Sequence, residues 1–300
     1  MQTIKSEHTG KTLLPHVTII TGPTASGKTA LAVRTAQRLG CDIISADSRQ
    51  IYRGIPITTA VPTFEERGGV RHHLLECLDL NQPYSAANFA SDALRIIYEA
   101  GVRQEKNIIV CGGSMLYIDA LLGKLDDLPD ISPEVRKRVL ALHEDIGMEG
   151  LLALLSNLDS TTYERVDKKN PRRVMHAVEL CLQTGRPVSE FVGNALNRQL
   201  PFSYNIYAVK MCRDELFERI NKRVEIMVEA GMETEARSVF HLRHLNSLNT
   251  IGFKEWFDYF DGKMDRDTAI QRIAKNTRVY AKKQLTWLKA QSDVLDAKFL

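Results

Sequence analysis

Nowhere in the chain is there a run of apolar residues approaching the roughly 18 needed to cross a bilayer, so no membrane-spanning helix is expected. Residues 1–16 lack a continuous apolar stretch ending in a small-residue cleavage site. They read as a loose leader ending at Pro15, and the cytoplasm is the expected compartment. The five cysteines (Cys41, Cys77, Cys111, Cys181 and Cys212) include no CxxC pair. That spacing excludes a zinc module or a disulfide framework and favours a reducing environment. His72 and His73 have no Cys or carboxylate cluster at metal spacing beside them. A net charge of +3 permits a local basic surface but does not by itself argue for a polyanionic partner. There are no repeats or low-complexity stretches.

What is present is a punctuated α/β pattern. Residues 17–21 form a β-branched run stopped by Gly22-Pro23, the profile of a buried parallel strand. A helix is expected over 29–39 with Gly40 ending it, and a second strand over 42–46 leads to Asp47. Residues 54–84, rich in Pro and Gly, read mostly as an excursion. Ser85 suits the N-cap of a helix running towards Gly101, and the strand Asn107–Cys111 ends in Gly112-Gly113. Strand and helix alternating with glycine turns predict a doubly wound, P-loop NTPase-like parallel sheet. The loops at Gly22, Asp47 and Gly112 should converge at its C-terminal edge.

Composition shifts near residue 124. The expected organisation is a first core segment over 1–124, a small inserted helical domain over 125–202, and core completion over 203–300. Short helices are expected over 133–143 and 151–158, and a returning strand over 204–211. A long amphipathic helix over 213–240 contains Gly231, and a last basic helix runs from about 267 to 290.

The strongest motif is Gly22-Pro23-Thr24-Ala25-Ser26-Gly27-Lys28-Thr29, a complete GxxxxGK[ST] between a strand and a helix. Glycines let backbone N–H groups face one centre, and the helix start adds its positive end. Lys28 is a point charge for an outer phosphate, and the Thr29 hydroxyl can hold Mg2+ bridging phosphate oxygens. The motif does not say which phosphate ligand it holds. A nucleotide hydrolase or kinase normally carries a carboxylate at the end of a later apolar strand. Here that strand ends in Cys111-Gly112-Gly113, so a nucleoside triphosphate and another diphosphate both stay open. Asp47 could act as a general base or could simply cap the turn that follows. Ser114, after the Gly pair, suits either a second phosphate contact or a helix cap.

The chain resembles the bacterial tRNA dimethylallyltransferase (IPP transferase) family over nearly its whole length. The resemblance rests on GPTASGKT (22–29), ADSRQIYRG (46–54), HHLLE (72–76), YSAANF (84–89), CGGSMLYIDALL (111–122), NPRRVMHAVEL (170–180), IGFKEW (251–256) and TRVYAKKQLTW (277–287). It implies transfer of a dimethylallyl group from dimethylallyl diphosphate to N6 of the adenosine 3′ of the anticodon, in tRNAs reading codons that begin with U. In the family the P-loop binds the prenyl donor's diphosphate, and the Asp at position 47 is the proposed base. The hydroxyl at 114 lies near the leaving oxygen, and an arginine at a position like Arg213 contacts the diphosphate. Asp47, Ser48, Arg49 and Gln50, with Arg172, Arg173 and His176, would meet the tRNA anticodon stem-loop. Three features depart from the family pattern: Ser114 for the usual Thr, Thr58 and Val61 for Gly and Lys, and His176 for Arg.

Basic residues give weaker, independent support for RNA. Arg165, Lys168, Lys169, Arg172 and Arg173 cluster, and Lys275 and Arg278 belong to the basic final segment. Such residues suit phosphate contacts, although a solvated helix face has the same composition. Trp256 and Trp287 read as packing rather than base platforms. A monomer is expected. Two other readings stand beside the transferase: a P-loop nucleoside or nucleotide kinase, and a nucleotide-switched RNA-binding protein.

Overall fold

The computed structural model describes residues 14–126, 128–192, 199–291 and 293–300. They divide into two compact units, one of residues up to 121 together with 200–300, the other Leu122–Gln199.

In the first unit β1 (His16–Thr21) leads into α1 (Lys28–Leu39) and β2 (Ile43–Ser45). Two short helices follow, α2 (Pro56–Thr59) and α3 (Phe64–Arg67), then the two-residue strand β3 (His72–His73). Next come α4 (Ala86–Val102), β4 (Asn107–Gly112) and α5 (Met115–Leu121). Val17, Ile19, Ile20, Ile108, Ile109 and Val110 are all fully buried. Apolar residues on both faces of a strand require layers on both sides of the sheet, and each such side chain contributes about 1.5–3 kcal/mol. The Gly40 cap donates its backbone N–H to Ala36 O from a left-handed conformation and so ends α1. Ser85 and Asn88 form a reciprocal capping box at the start of α4.

The second unit holds α6 (Pro133–Leu158), α7 (Ser160–Arg165) and α8 (Pro171–Thr184) around Val139, Leu151, Leu155, Val174 and Val178. The two helices expected over 133–143 and 151–158 belong to α6, which is broken at Gly147 by non-helical φ 64 and ψ −171. The chain returns to the first unit through β5 (Tyr204–Ala208), α9 (Arg213–Glu229), α10 (Met232–Ser238), α11 (Phe253–Phe260), α12 (Arg266–Ala290) and β6 (Val294–Asp296). The single helix expected over 213–240 is thus two. Gly231, at φ 100, turns the chain between them.

All strand pairs are parallel, in the order β3-β2-β4-β1-β5-β6. β3 and β6 were not foreseen. At two and three residues, neither carries enough periodicity to be recognised from sequence. The ends of β1, β2, β4 and β5 therefore share one edge, where doubly wound sheets bind ligands.

In the helical unit Asp159 is buried at 4% exposure. Its carboxylate accepts from Thr162 N (2.9 Å), Thr162 Oγ1 (2.6 Å), Ser189 N (2.7 Å) and Ser189 Oγ (3.0 Å), tying α7 to the chain after α8. Burial alone would raise this carboxyl. The four hydrogen bonds outweigh it and hold the group below its ordinary value of 3.8. Asp159→Asn, which puts an amide donor against these donors, is expected to cost about 1–3 kcal/mol at neutral pH in thermal unfolding. Because the folded-state pKa is depressed, the contribution is present above the unfolded value and is lost as pH falls through the folded one. The gap between wild type and variant should therefore narrow in acid.

Candidate active site

β1 stops at Thr21, and the next six residues curl back to start α1 at Lys28. Gly27 takes φ 86 immediately before the helix, a conformation open to glycine at little cost. The first-turn N–H groups of α1 have no intrahelical acceptor and form a site for an anion. Ala25, held at φ 64, has its carbonyl secured by Arg219 Nε at 2.9 Å.

The second strand end supplies Asp47. Its Oδ1 accepts from Arg49 N at 2.9 Å and Gln50 N at 3.3 Å. Its other oxygen forms no hydrogen bond among the described residues. The turn-capping role and an available carboxylate oxygen thus coexist in one side chain. The neighbours are held by their own backbone contacts. Arg49 Nη1 donates to Asn246 O and Ser247 O, and Gln50 Nε2 donates to Thr59 O and Ala60 O. Ser48 is half-buried beside them.

The third strand end passes close to the second. Ala46 N donates to Cys111 O at 2.8 Å, and Ser114 N to Ala46 O at 3.1 Å. A Cβ on Gly112 would stand 2.0 Å from Ala46 O, so no side chain fits at the end of β4. The position where a hydrolase or kinase would present its carboxylate is sterically closed. Cys111, just before it, is buried and its thiol is pushed up to about 11, chiefly by desolvation. Ser114 is nearly buried, and its hydroxyl makes no hydrogen bond among the described residues.

Among the described residues Lys28 Nζ hydrogen-bonds only to Pro23 O, at 3.4 Å. Desolvation lowers its pKa. Cys111 and Asp47 oppose that shift, and Arg223 adds to it. Arg223 is likewise lowered by burial, opposed by Asp47 and Glu66, and has no hydrogen-bond or ion-pair partner among the described residues. Two desolvated cations near one carboxylate leave an unmet demand for negative charge. Beside them lies a cleft of about 880 Å3, lined by Lys28, Thr29, Arg219, Lys222 and Arg223 together with the apolar Ile57, Val61, Pro62, Ile226 and Met227. Glu235 fixes α2 at this cleft by accepting from Ile57 N (2.8 Å) and Thr58 N (2.7 Å).

The expected arginine does not take part in this arrangement. Arg213, at the first turn of α9, is exposed, stacks over Phe217 at 5.2 Å and does not line the cleft. Arg219 and Arg223, four residues apart on the same helix, do line it. Their i,i+4 spacing on an amphipathic helix was the available signal.

Of the expected RNA contacts, Arg172, Arg173 and His176 are exposed on the first turns of α8 in the helical unit, with His176 Nδ1 3.5 Å from Glu179. Lys275 is exposed on α12, while Arg278 donates to Asn221 Oδ1. No group of three or more His, Cys, Asp or Glu suited to a metal occurs among the described residues. The Thr29 hydroxyl lines the cleft without a hydrogen-bond partner among the described residues, a donor set that fits Mg2+ carried by phosphate oxygens.

Comparison with known proteins points one way. The IPP transferase family model matches residues 50–291. A protein named tRNA dimethylallyltransferase 2 from Parabacteroides distasonis is 43% identical over 276 residues, covering 92% of each chain. Its namesake from Porphyromonas gingivalis is 45% identical, covering 92% of this chain and 91% of that one. The crystal structure of a tRNA isopentenylpyrophosphate transferase from Bacillus halodurans superposes with TM-score 0.67 at 35% identity, covering 94% and 90% of the two chains. A eukaryotic dimethylallyltransferase described as acting on tRNA superposes with TM-score 0.77 at 26% identity, covering 94% and 74%.

The two arginine positions separate in a binding test with inorganic pyrophosphate. Arg223→Ala is expected to weaken binding by about 10- to 100-fold in calorimetry, the range for a charge-assisted contact. Arg213→Ala is expected to leave it within about twofold, since Arg213 stands off the cleft.

Proposed function

The chain belongs to the IPP transferase family, and we propose that it transfers the dimethylallyl group of dimethylallyl diphosphate to N6 of the tRNA adenosine 3′ of the anticodon, position 37, in tRNAs reading UNN codons. The observation that carries this reading is the pairing of a phosphate loop with Asp47 at a sheet edge where Gly112 bars a second carboxylate. The same feature disfavours a kinase. The P-loop then serves as a cradle for a leaving diphosphate rather than for a phosphoryl group in flight.

In this mechanism the C–O bond between the allylic carbon and the diphosphate breaks while a bond from adenine N6 to that carbon forms. Negative charge accumulates on the diphosphate. It is met by the α1 N–H groups, Lys28 and Arg223, whose burial makes each interaction stronger than in water. Ser114 donates to the leaving oxygen. The apolar lining of the cleft, Ile226 and Met227 among it, suits the prenyl chain and keeps water from the reactive carbon. The N6 proton passes to the unbonded oxygen of Asp47 as N–C bonding develops, since an exocyclic amine is weakly basic. Mg2+, held through Thr29, would add charge neutralisation on the diphosphate. The adenine is reached by flipping out of the anticodon loop. Arg172, Arg173 and His176 on α8, and Lys275 and Arg278 on α12, hold the stem-loop phosphates. The protein acts as a monomer, in the cytoplasm where tRNA matures. No helix among the described residues is long and apolar enough to cross a membrane.

Incubating the protein with unmodified tRNA and either dimethylallyl diphosphate or ATP, followed by mass spectrometry of the nucleosides, tests the reading. A dimethylallyl adduct on adenosine is expected only with the prenyl donor. Phosphate transfer from ATP would overturn the proposal. Asp47→Asn keeps the turn but cannot accept the proton. Single-turnover rates should fall on the order of 10²–10⁴-fold with tRNA and donor affinity near wild type. Unchanged single-turnover chemistry would remove Asp47 as the base.

The RNA path is tested by salt. Triple replacement of Arg172, Lys275 and Arg278 by Ala should weaken tRNA binding and reduce the logarithmic salt slope by roughly 0.7–0.9 per lost phosphate contact. An unchanged slope would make these residues a solvated face.

A further inference from the structure

Gln284 lies near the C-terminal end of α12, 260 residues from the phosphate loop in sequence, and is 2% exposed. Its side-chain amide is engaged at both ends. Oε1 accepts from Thr24 N at 2.8 Å, and Nε2 donates to Gly113 O at 2.8 Å. Thr24 lies inside the loop that leads to Lys28 and Thr29, whereas Gly113 immediately precedes Ser114. A Cβ on Gly113 would come within 2.3 Å of Gln284 Nε2, so glycine at 113 is what admits the amide. One turn earlier on α12, Tyr280 Oη donates to the same Gly113 carbonyl at 3.4 Å. One turn later, Trp287 Nε1 donates to Asp119 Oδ2 on α5 at 2.9 Å.

We propose that Gln284 is a positioning residue that sets the spacing between the diphosphate cradle and Ser114. The proposal rests on the transferase reading for its kinetic consequence, but not for its structural one. The amide offers an acceptor and a donor on one flat group without needing to be protonated, as the N–H of Thr24 and the carbonyl of Gly113 require. A hydrocarbon of similar volume leaves Thr24 N without a partner and Gly113 O with only the longer contact from Tyr280, and the two loops move apart to find water. Misplacement of a cradle relative to a leaving-group donor lowers the rate of bond breaking more than it lowers substrate binding.

The test compares wild type, Gln284→Leu and Gln284→Glu, each checked for folding at the assay temperature. Gln284→Leu should reduce kcat about 10- to 100-fold while leaving the KM for tRNA within about threefold. Amide hydrogen exchange should quicken in both peptides, the one spanning residues 22–29 and the one spanning 112–116. A carboxylate at 284 still accepts from Thr24 N but opposes the Gly113 carbonyl. Once protonated it donates there and copies the native pair. The kcat of Gln284→Glu, taken as a ratio to wild type, should therefore rise as pH falls. Lys28, Asp47, Cys111 and Tyr280 face these loops in both proteins, so the ratio to wild type isolates residue 284. If Gln284→Leu does not fold, the Glu ratio decides alone. A kcat for Gln284→Leu within about twofold of wild type, unchanged exchange in either peptide, or a flat Glu ratio would overturn the proposal. If wild type itself prenylates no adenosine, the transferase reading fails, and the exchange data still decide whether Gln284 spaces the two loops.

Discussion

The carbonyl of Ala46 occupies the space that any side chain at position 112 would need, 2.0 Å from where its Cβ would stand. Much of the site depends on this close approach. Through it the ends of β2 and β4 hydrogen-bond directly, Ala46 N to Cys111 O and Ser114 N back to Ala46 O. Asp47 and Ser114 are thereby fixed beside each other by backbone rather than by flexible side chains. The same contact removes the carboxylate that phosphoryl-transfer enzymes place at this strand end. One steric fact thus defines both what the edge presents and what it cannot present.

Around this frame the charges are arranged for an anion. Lys28 and Arg223 both have lowered pKa values, first because burial penalises their charged forms. Each also lies in the field of Asp47, which pulls the other way. The arrangement is electrostatically incomplete when it faces only itself. Under the proposed function a diphosphate would restore balance and raise both cations towards their ordinary values, so binding would draw part of its free energy from relieving desolvation already incurred in folding. Surface ion pairs elsewhere, such as Arg95 with Glu99, are exposed and contribute little of this kind.

Much of this was legible in the residues. Gly22–Thr29 marked the turn from β1 into α1, because glycine, lysine and threonine at that spacing have few other uses. The apolar run before Gly112 identified a buried parallel strand because strands covered on both faces lose their alternation. The contributors that were missed came from tertiary contact. Arg213 and Arg223 look alike on a helical wheel without knowledge of which turn meets the P-loop. Arg49 and Gln50 were expected to meet the tRNA, and within the chain their side-chain donors end on backbone carbonyls of residues 246–247 and 59–60. The break at Gly231 was visible as a glycine, but only its φ of 100 separates a tolerated helical glycine from a turn. Gln284 had no signature at all, since its partners are backbone atoms.

The departures at 58 and 61 show how the fold absorbs sequence change near a site. Thr58 sits in α2 rather than in a left-handed turn, so a side chain there carries no backbone strain. Its methyl group is matched across the interface by a missing one, because a Cβ on Gly252 would lie 2.5 Å from Thr58 Cγ2. Bulk at 58 and its absence at 252 therefore form one packing unit, and restoring a side chain at 252 would displace α2 and the wall it builds. Val61 extends that wall as apolar surface, facing a cleft whose cations come from the start of α1 and from α9. The cleft thus combines the cations Lys28, Arg219, Lys222 and Arg223 with apolar side chains from both the α2–α3 segment and α9, and Glu66 is the acidic residue among its lining. A cleft with both kinds of lining can hold a molecule that is anionic at one end and greasy at the other. A nucleoside triphosphate, polar along its whole length, would leave the apolar lining of the cleft unused.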